Sequence, residues 1–358
     1  MAKASRRHPP LIALVCLLIA PACLGHEARV HSRAITDAKI VFYQRKLEAD
    51  PRLYPVYVQL AAAYLDKARE THDPAYLPKA REAVQESLAI QPSLDAYQAM
   101  SAICNYSHRF EEAVTWARRA AETSPQDTSI IAALVEAHLG LGQTAEAEQL
   151  LSALPASLED FYSAASRGHV LKARGRLHEA GESFLKAAEF ARKEKATDLA
   201  VWAQVQASKT LLEMGQPERS AKLLEGAAAL DPTSTDLKLQ QAELLQATDK
   251  AEDALRIYEA ILVEMSDAEV HARAFRLAKR LGETERAKGH FEAAEREYQR
   301  AVEAGEFYTL GALARLYLDA DLHLDRALDL SKRCLEYQRD ALSEQTFQSI
   351  QRKYQNTP

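Results

Sequence analysis

The chain has 358 residues, a formal net charge of −6, 47% hydrophobic and 27% charged side chains, and only 12 glycines. Alanine and leucine supply 65 and 46 residues, a balance that describes long helices and excludes collagen-like repeats and glycine-rich phosphate loops. No Asn-Gly, Asp-Gly or Gly-Gly step occurs, so the strongest hairpin signals are missing, and the acidic balance argues against a general nucleic-acid surface.

Residues 1–22 read as a secretory signal peptide. Lys3, Arg6 and Arg7 stand without an acid before the wholly apolar run Leu11 to Ala20, and small residues follow. Such a run falls short of the roughly 20 residues that span a bilayer. Ala20-Pro21-Ala22-Cys23 resembles the lipobox of bacterial lipoproteins, although Ala20 stands where that family usually has Leu. The resemblance implies acylation of Cys23 and, with Leu24 after it, routing to the outer membrane. Ordinary cleavage after the A-x-A stretch, with Cys23 incidental, is the alternative. Residues 23–34 are expected to form a tether and residues 35–53 an N-terminal capping helix. Without the basic first 26 residues the remainder carries −9.

From residue 54 to 338 the sequence repeats with a period of about 34. In successive units a turn residue leads by five to a small marker: Ala113, Ala147, Ala180, Ser220, Ala254 and Ala294. The triplets Ala180/Phe184/Ala187, Ser220/Leu224/Ala227, Ala254/Tyr258/Ile261 and Ala294/Tyr298/Ala301 follow, and spacings of four and three put each on one helical stripe. An earlier unit has Ala80/Val84/Ser87 and a later one Ala327/Ser331/Cys334. Prolines such as Pro92, Pro125 and Pro232 close second helices.

These residues resemble the tetratricopeptide repeat. The leading Trp of its motif is missing throughout, Leu-Gly survives as Leu281-Gly282, and the first unit carries an insertion around His72 to Pro78. The eighth unit leans toward the Sel1-like repeat. The resemblance implies an all-α, right-handed α-solenoid of about eight helix-turn-helix units, with capping helices at both ends. The second cap and tail occupy residues 339–358. Units that touch only their neighbours would make an open rod.

No enzyme signature occurs: G-x-G-x-x-G, G-x₄-G-K-[ST], G-x-S-x-G and H-E-x-x-H are all missing. The expectation is a chain without enzymatic activity, cofactor or metal. Asp319, Asp321 and Asp325 only faintly suggest a calcium loop, since Leu324 stands at the turn-glycine position. Cys104 and Cys334 fall on apolar helical faces and read as small buried hydrophobes. The family resemblance places recognition on the concave side of the first helices. Carried over unit by unit, that groove presents Asn105, Tyr106, Glu136, Tyr162, His169, Lys172, Trp202, Lys209, Asp236, Glu243, Arg276, Lys279 and Glu283. Two features stay open. Arg273, Arg276 and Arg280 form either an anion contact or a solvated face balanced by Glu269, Glu283 and Glu285, and Trp202 is a partner anchor or a core-edge ring. The expected function is a non-enzymatic scaffold of the bacterial cell envelope that binds a peptide or protein, but not nucleic acid. It would meet a membrane only through Cys23. An envelope glycan-binding or enzyme-regulating subunit is the alternative.

Overall fold

Small residues decide how these helices pair. The computed structural model describes residues 22–355 except 72, 304 and 308, with side chains from Ala34 onward. The signal segment as far as Pro21 and the Cys23 thiol lie outside the described residues. All six sequence triplets are buried. In four pairs the second helix crosses its first helix where small residues stand twelve apart: Ser101 with Ala113, Gly168 with Ala180, Ser208 with Ser220, and Ala242 with Ala254. At these crossings the Ser101 hydroxyl donates to the Ala113 carbonyl (3.2 Å), and the Ser208 and Ser220 hydroxyls meet at 2.7 Å. A Cβ on Gly168 would lie 2.7 Å from the Phe184 ring, so this approach admits only glycine.

The first half of the chain forms α1 (Ala22–Ala49), α2 (Tyr54–Thr71), α3 (Tyr76–Ile90), α4 (Leu94–Tyr106), α5 (Phe110–Thr123), α6 (Thr128–Gly140), α7 (Thr144–Ser152), α8 (Phe161–Ala173) and α9 (Leu177–Lys193). The second half forms α10 (Thr197–Glu213), α11 (Pro217–Leu230), α12 (Thr235–Ala247), α13 (Ala251–Glu264), α14 (Ala268–Leu281), α15 (Thr284–Glu303), α16 (Thr309–Ala320), α17 (Leu324–Tyr337) and α18 (Ala341–Gln355). No strand occurs among the described residues. From α2/α3 to α16/α17 the helices form eight antiparallel pairs, between α1 and α18. Most pairs turn on a left-handed residue: His108, Gly142, Gly175, Gly215, Asp249, Gly282 or Asp321. At His108, Gly142, Gly175, Gly215 and Asp249 the buried marker follows five residues later, so there the phasing is a backbone requirement met by glycine or by a residue that tolerates positive φ. Gly289, expected to turn before Ala294, instead lies within α15.

First helices pack on successive first helices, as α2–α4–α6–α8, α10–α12 and α14–α16–α18, whereas the second helices lack such mutual packing. The array therefore bends toward its first helices and makes them its inner wall. Between α8 and α10 the connection runs mainly through the long helix α9, whose Phe184 meets His169 (5.0 Å) and Trp202 (6.3 Å) edge to face. The buried apolar groups form several clusters along the array, not one core.

Four details depart from the sequence expectations. The backbone is already helical from Ala22, so residues 23–34 continue α1 rather than form a separate tether. The insertion in the first unit lengthens α2, which reaches Thr71. Gly282 is the left-handed cap of α14, and Leu281 is 38% exposed. That Leu-Gly pair therefore does not occupy the crossing, where Gly168 stands in its own unit. Finally, the bend carries the array far enough to meet itself. The Arg339 amide donates to the Gly140 carbonyl (3.3 Å), His108 Nδ1 lies 2.8 Å from Gln338 Oε1, and the Arg109 guanidinium covers the Phe307 ring at 5.5 Å. Curvature summed over six pairs converts the expected open rod into a nearly closed turn.

Candidate binding face

The inner wall collects most of the residues singled out in the sequence, in three groups. On the first, α2, α4 and α6 converge. Tyr106 is half-buried with Arg69 5.6 Å from its ring centre. Burial raises its hydroxyl pKa, against Arg69 and with the help of Asp267 and Glu306 from the far side of the turn. Glu136 is exposed, yet the surrounding protein raises its carboxyl pKa and Arg69 only partly opposes this. Its exposure decides its use, because a partner can reach it. Asn105 does not belong to this face. It is 4% exposed and donates its amide to the Ala133 carbonyl at 2.9 Å, which ties α4 to α6 and leaves nothing to present.

The second group lies at α8 and α10. Trp202 is half-buried and meets the rings of Phe161 (5.8 Å), His169 (5.7 Å) and Phe184 edge-on or tilted. These contacts pack one side of Trp202 at the edge of the core. Burial lowers the His169 pKa to about 4, and the nearby ammoniums of Lys172 and Lys209 push the same way. His169 is therefore neutral at neutral pH. Lys172 pairs with Glu213 at 2.6 Å. Lys209 makes no ion pair among the described residues, and Tyr162 is 42% exposed. Together Lys209 and Tyr162 offer one cation and one aromatic face on an otherwise packed wall.

The third group is α14, and it is spent on the protein itself. Arg273 pairs with Glu243 and Glu269, Arg276 with Glu269 (3.4 Å) and Asp319 (3.3 Å), and Lys279 Nζ donates to the Asp319 carbonyl (2.6 Å). The Tyr298 hydroxyl adds a bond to Glu269 at 2.8 Å. This network joins α12, α14, α15 and α16: Glu269 balances Arg273 and Arg276 as the sequence allowed, Glu243 and Asp319 add partners from other helices, and Arg280 stays exposed. Arg276 and Lys279 are inner-wall residues already engaged. Sequence reasoning missed Arg69, Asp267 and Glu306, because Tyr106, on which all three act, lies on a helix far from each of them in sequence. Arg69 had a readable signal, the insertion that extends α2.

Burial pushes the Cys104 thiol up to about 11 and also raises that of Cys334, which makes both poor nucleophiles. No group of three potential metal ligands converges among the described residues, and no described helix is long and apolar enough to cross a membrane. A shallow cleft of about 640 Å³ lies between Ser124–Thr128 and Ser157–Asp160. Its Asp127 and Asp160 are helix N-caps, accepting from the amides of Ser129 and Ser163 at 2.9 Å each, so its acids serve the fold.

Residues 106–175 and 211–274 match the family model for the tetratricopeptide repeat, and these stretches are such repeats. No curated protein sequence matches the chain. Among solved structures, the APC/C hetero-tetramer Cut9-Hcn1 superposes with a TM-score of 0.52 at 13% identity, over 85% of this chain and 56% of that one. This chain thus spans little more than half of that neighbour. A tetratricopeptide repeat protein from Parabacteroides merdae gives 0.52 at 12% identity, over 72% and 99% of the two chains. The human IFIT1 dimer with m7Gppp-AAAA gives 0.50 at 17% identity, over 79% and 71%. At these identities the likeness establishes the all-α solenoid alone.

Proposed function

We propose that this chain is a non-enzymatic scaffold of the bacterial cell envelope, anchored through an acylated Cys23, whose inner wall binds an extended peptide or protein segment. The repeat fold supports the scaffold, and the signal and lipobox-like residues 1–23 support the location. One observation carries the binding reading. Tyr106, Glu136, Tyr162 and Lys209, on first helices from α4 to α10, keep polar or aromatic surface that packing does not consume. RNA is not favoured, because Arg69, Lys172, Arg273 and Arg276 on that wall are each paired with a carboxylate and phosphates need uncommitted cations. A glycan is not favoured either, since the Trp202 ring is already packed against Phe161, His169 and Phe184.

The test compares the full chain with a Tyr162→Ala/Lys209→Glu variant as baits on detergent-solubilised envelope. A partner retained by the native chain and lost by the variant supports the reading, and identical captures overturn the groove assignment. Cys23→Ser, followed by detergent-phase partitioning and metabolic fatty-acid labelling, tests the anchor. A native protein that is soluble and unlabelled overturns it.

A further inference from the structure

Helix α1 is apolar on two sides, and only one side has a partner. Thr36 and Ile40 are buried, and Tyr43 and Leu47 are partly buried, where α1 meets α2. That seam is fixed by the Thr36 hydroxyl donating to Glu70 (2.7 Å), by the Gln44 amide donating to the Tyr64 hydroxyl (2.9 Å), and by Lys67 pairing with Asp37 (2.6 Å). On the opposite side Ile35, Val41 and Phe42 stand 44%, 44% and 52% exposed. Helical spacing puts Ile35 and Phe42 on one line, two turns apart. Exposed Lys39, Arg45 and Lys46 border Ile35 and Phe42 without a salt bridge among the described residues, although Lys39 also acts on the Asp66 carboxylate of α2 and exposed Glu48 stands in line with Val41. Lys46 lies 4.6 Å from the centre of the Phe42 ring. A capping helix that merely closed a solenoid would turn a polar face outward. This one turns out large apolar side chains with a cationic border.

We infer that this outer face of α1 lies on the surface of an anionic lipid bilayer. The inference rests on the anchorage proposed above. An apolar stripe between basic side chains is the pattern of interfacial helices, whose rings enter the acyl boundary while lysine and arginine meet anionic headgroups. Chain continuity selects the same occupant. The α1 backbone is helical from Ala22, so Phe42 follows Cys23 by nineteen residues of continuous helix, about 28 Å at 1.5 Å per residue. A lipid at Cys23 and the stripe therefore sit on one rod, and laying the rod flat buries both. A second copy of the chain is disfavoured, since self-pairing of this face would bring Lys39, Arg45 and Lys46 against their own kind. With α1 flat on the leaflet, α2 and the rest of the array project away from it in a fixed orientation.

The experiment uses the full chain in vesicles of phosphatidylglycerol and phosphatidylethanolamine with brominated acyl chains. Phe42→Trp reports on α1 and Val263→Trp, at a site 88% exposed on α13, reports on the rest of the array. Native Trp116, stacked on Tyr97 at 6.0 Å, and Trp202 provide the background. The expected result is bromine quenching and a blue shift for Trp at position 42 and neither at position 263. Lys39→Glu/Arg45→Glu/Lys46→Glu should cut the quenched fraction by half or more. Flotation with the vesicles but no quenching at position 42 overturns the inference while leaving the anchor intact. Quenching at 42 in a protein that carries no fatty acid leaves the inference standing and removes the anchor. Neither flotation nor quenching removes both. A blue shift that appears without lipid and grows with protein concentration assigns the face to a second copy and overturns the inference.

Discussion

Glu306 offers a sharp test of burial at the α15–α16 junction. It lies between α15 and α16, 7% exposed, and burial raises its carboxyl pKa from 4.5 to about 7 because Arg109 offsets the burial only in part. In the unfolded chain the same group titrates near 4.5. As pH rises from 4.5 to 7, the unfolded chain releases this proton while the folded chain retains it. Stability is therefore complete below that window, falls through it, and stays reduced above it. At about 1.4 kcal/mol per pKa unit, the shift costs ~3 kcal/mol at pH 8. Glu306→Gln keeps the shape of the protonated acid and removes the cost. Urea unfolding followed by circular dichroism should show the variant ~3 kcal/mol more stable at pH 8 and equal to wild type at pH 4. Proton uptake near pH 6 should differ by up to one between folded and unfolded wild type, and not in the variant. A variant that gains nothing at pH 8, or gains equally at both pH values, would refute burial as the cause.

Phe184→Ala should cost roughly 3–5 kcal/mol, because the fully buried ring fills the space over Gly168 and braces Trp202 and His169. Since α8 and α10 meet mainly through α9, its denaturant unfolding should split into two transitions, and a single unshifted one would contradict this. Gly142→Ala should destabilise by about 1 kcal/mol or more, as φ is +72° and a Cβ would lie 2.6 Å from the Arg339 carbonyl oxygen. Its radius of gyration by small-angle scattering should rise at unchanged helix content, and an identical scattering curve would show that the contact is not formed in solution. The Arg339 amide, bonded to Gly140, should exchange about 10- to 1,000-fold more slowly than a free amide, and faster than amides at the middle of α16. Free-amide exchange would rule the contact out.

The fold was legible wherever its cause is local. A positive-φ turn, a small residue five positions later and a stripe spaced by four and three all belong to one helix pair, so they recur visibly. Asn105 and Tyr106 show where that legibility ends. They are adjacent in sequence, but one is locked to Ala133 and the other faces the lumen, a difference set by where α6 packs on α4. The arginine row was legible only in its local partner Glu269. Periodicity places Arg273 and Arg276 on one face but cannot reveal that Glu243 and Asp319 stand opposite. Gly282 matched the family motif in letters only, because the longer α15 shifts the register and leaves that glycine at a helix end. The meeting of His108 with Gln338 had no local signal at all. It follows from small angles accumulated over 230 residues.

The closure also bears on how the inner wall can be reached. It includes a backbone hydrogen bond, a histidine–glutamine bond and a cation over a ring. Hydrogen bonds of this kind contribute about 0.5–1.5 kcal/mol each, and an exposed cation–ring contact about 0.5–1. Loss of these three contacts alone costs about 1.5–4 kcal/mol, which would leave an open form at roughly 0.1–7% of molecules. A partner with a free end can enter along the axis of the turn without opening it, whereas a looped or folded partner must wait for the minor form. The second route weakens apparent affinity by the open fraction. A variant that opens the turn, such as Gly142→Ala, relieves that penalty for a looped partner and does nothing for an extended one. The sign of its effect on binding thus distinguishes the two kinds of partner before either is identified.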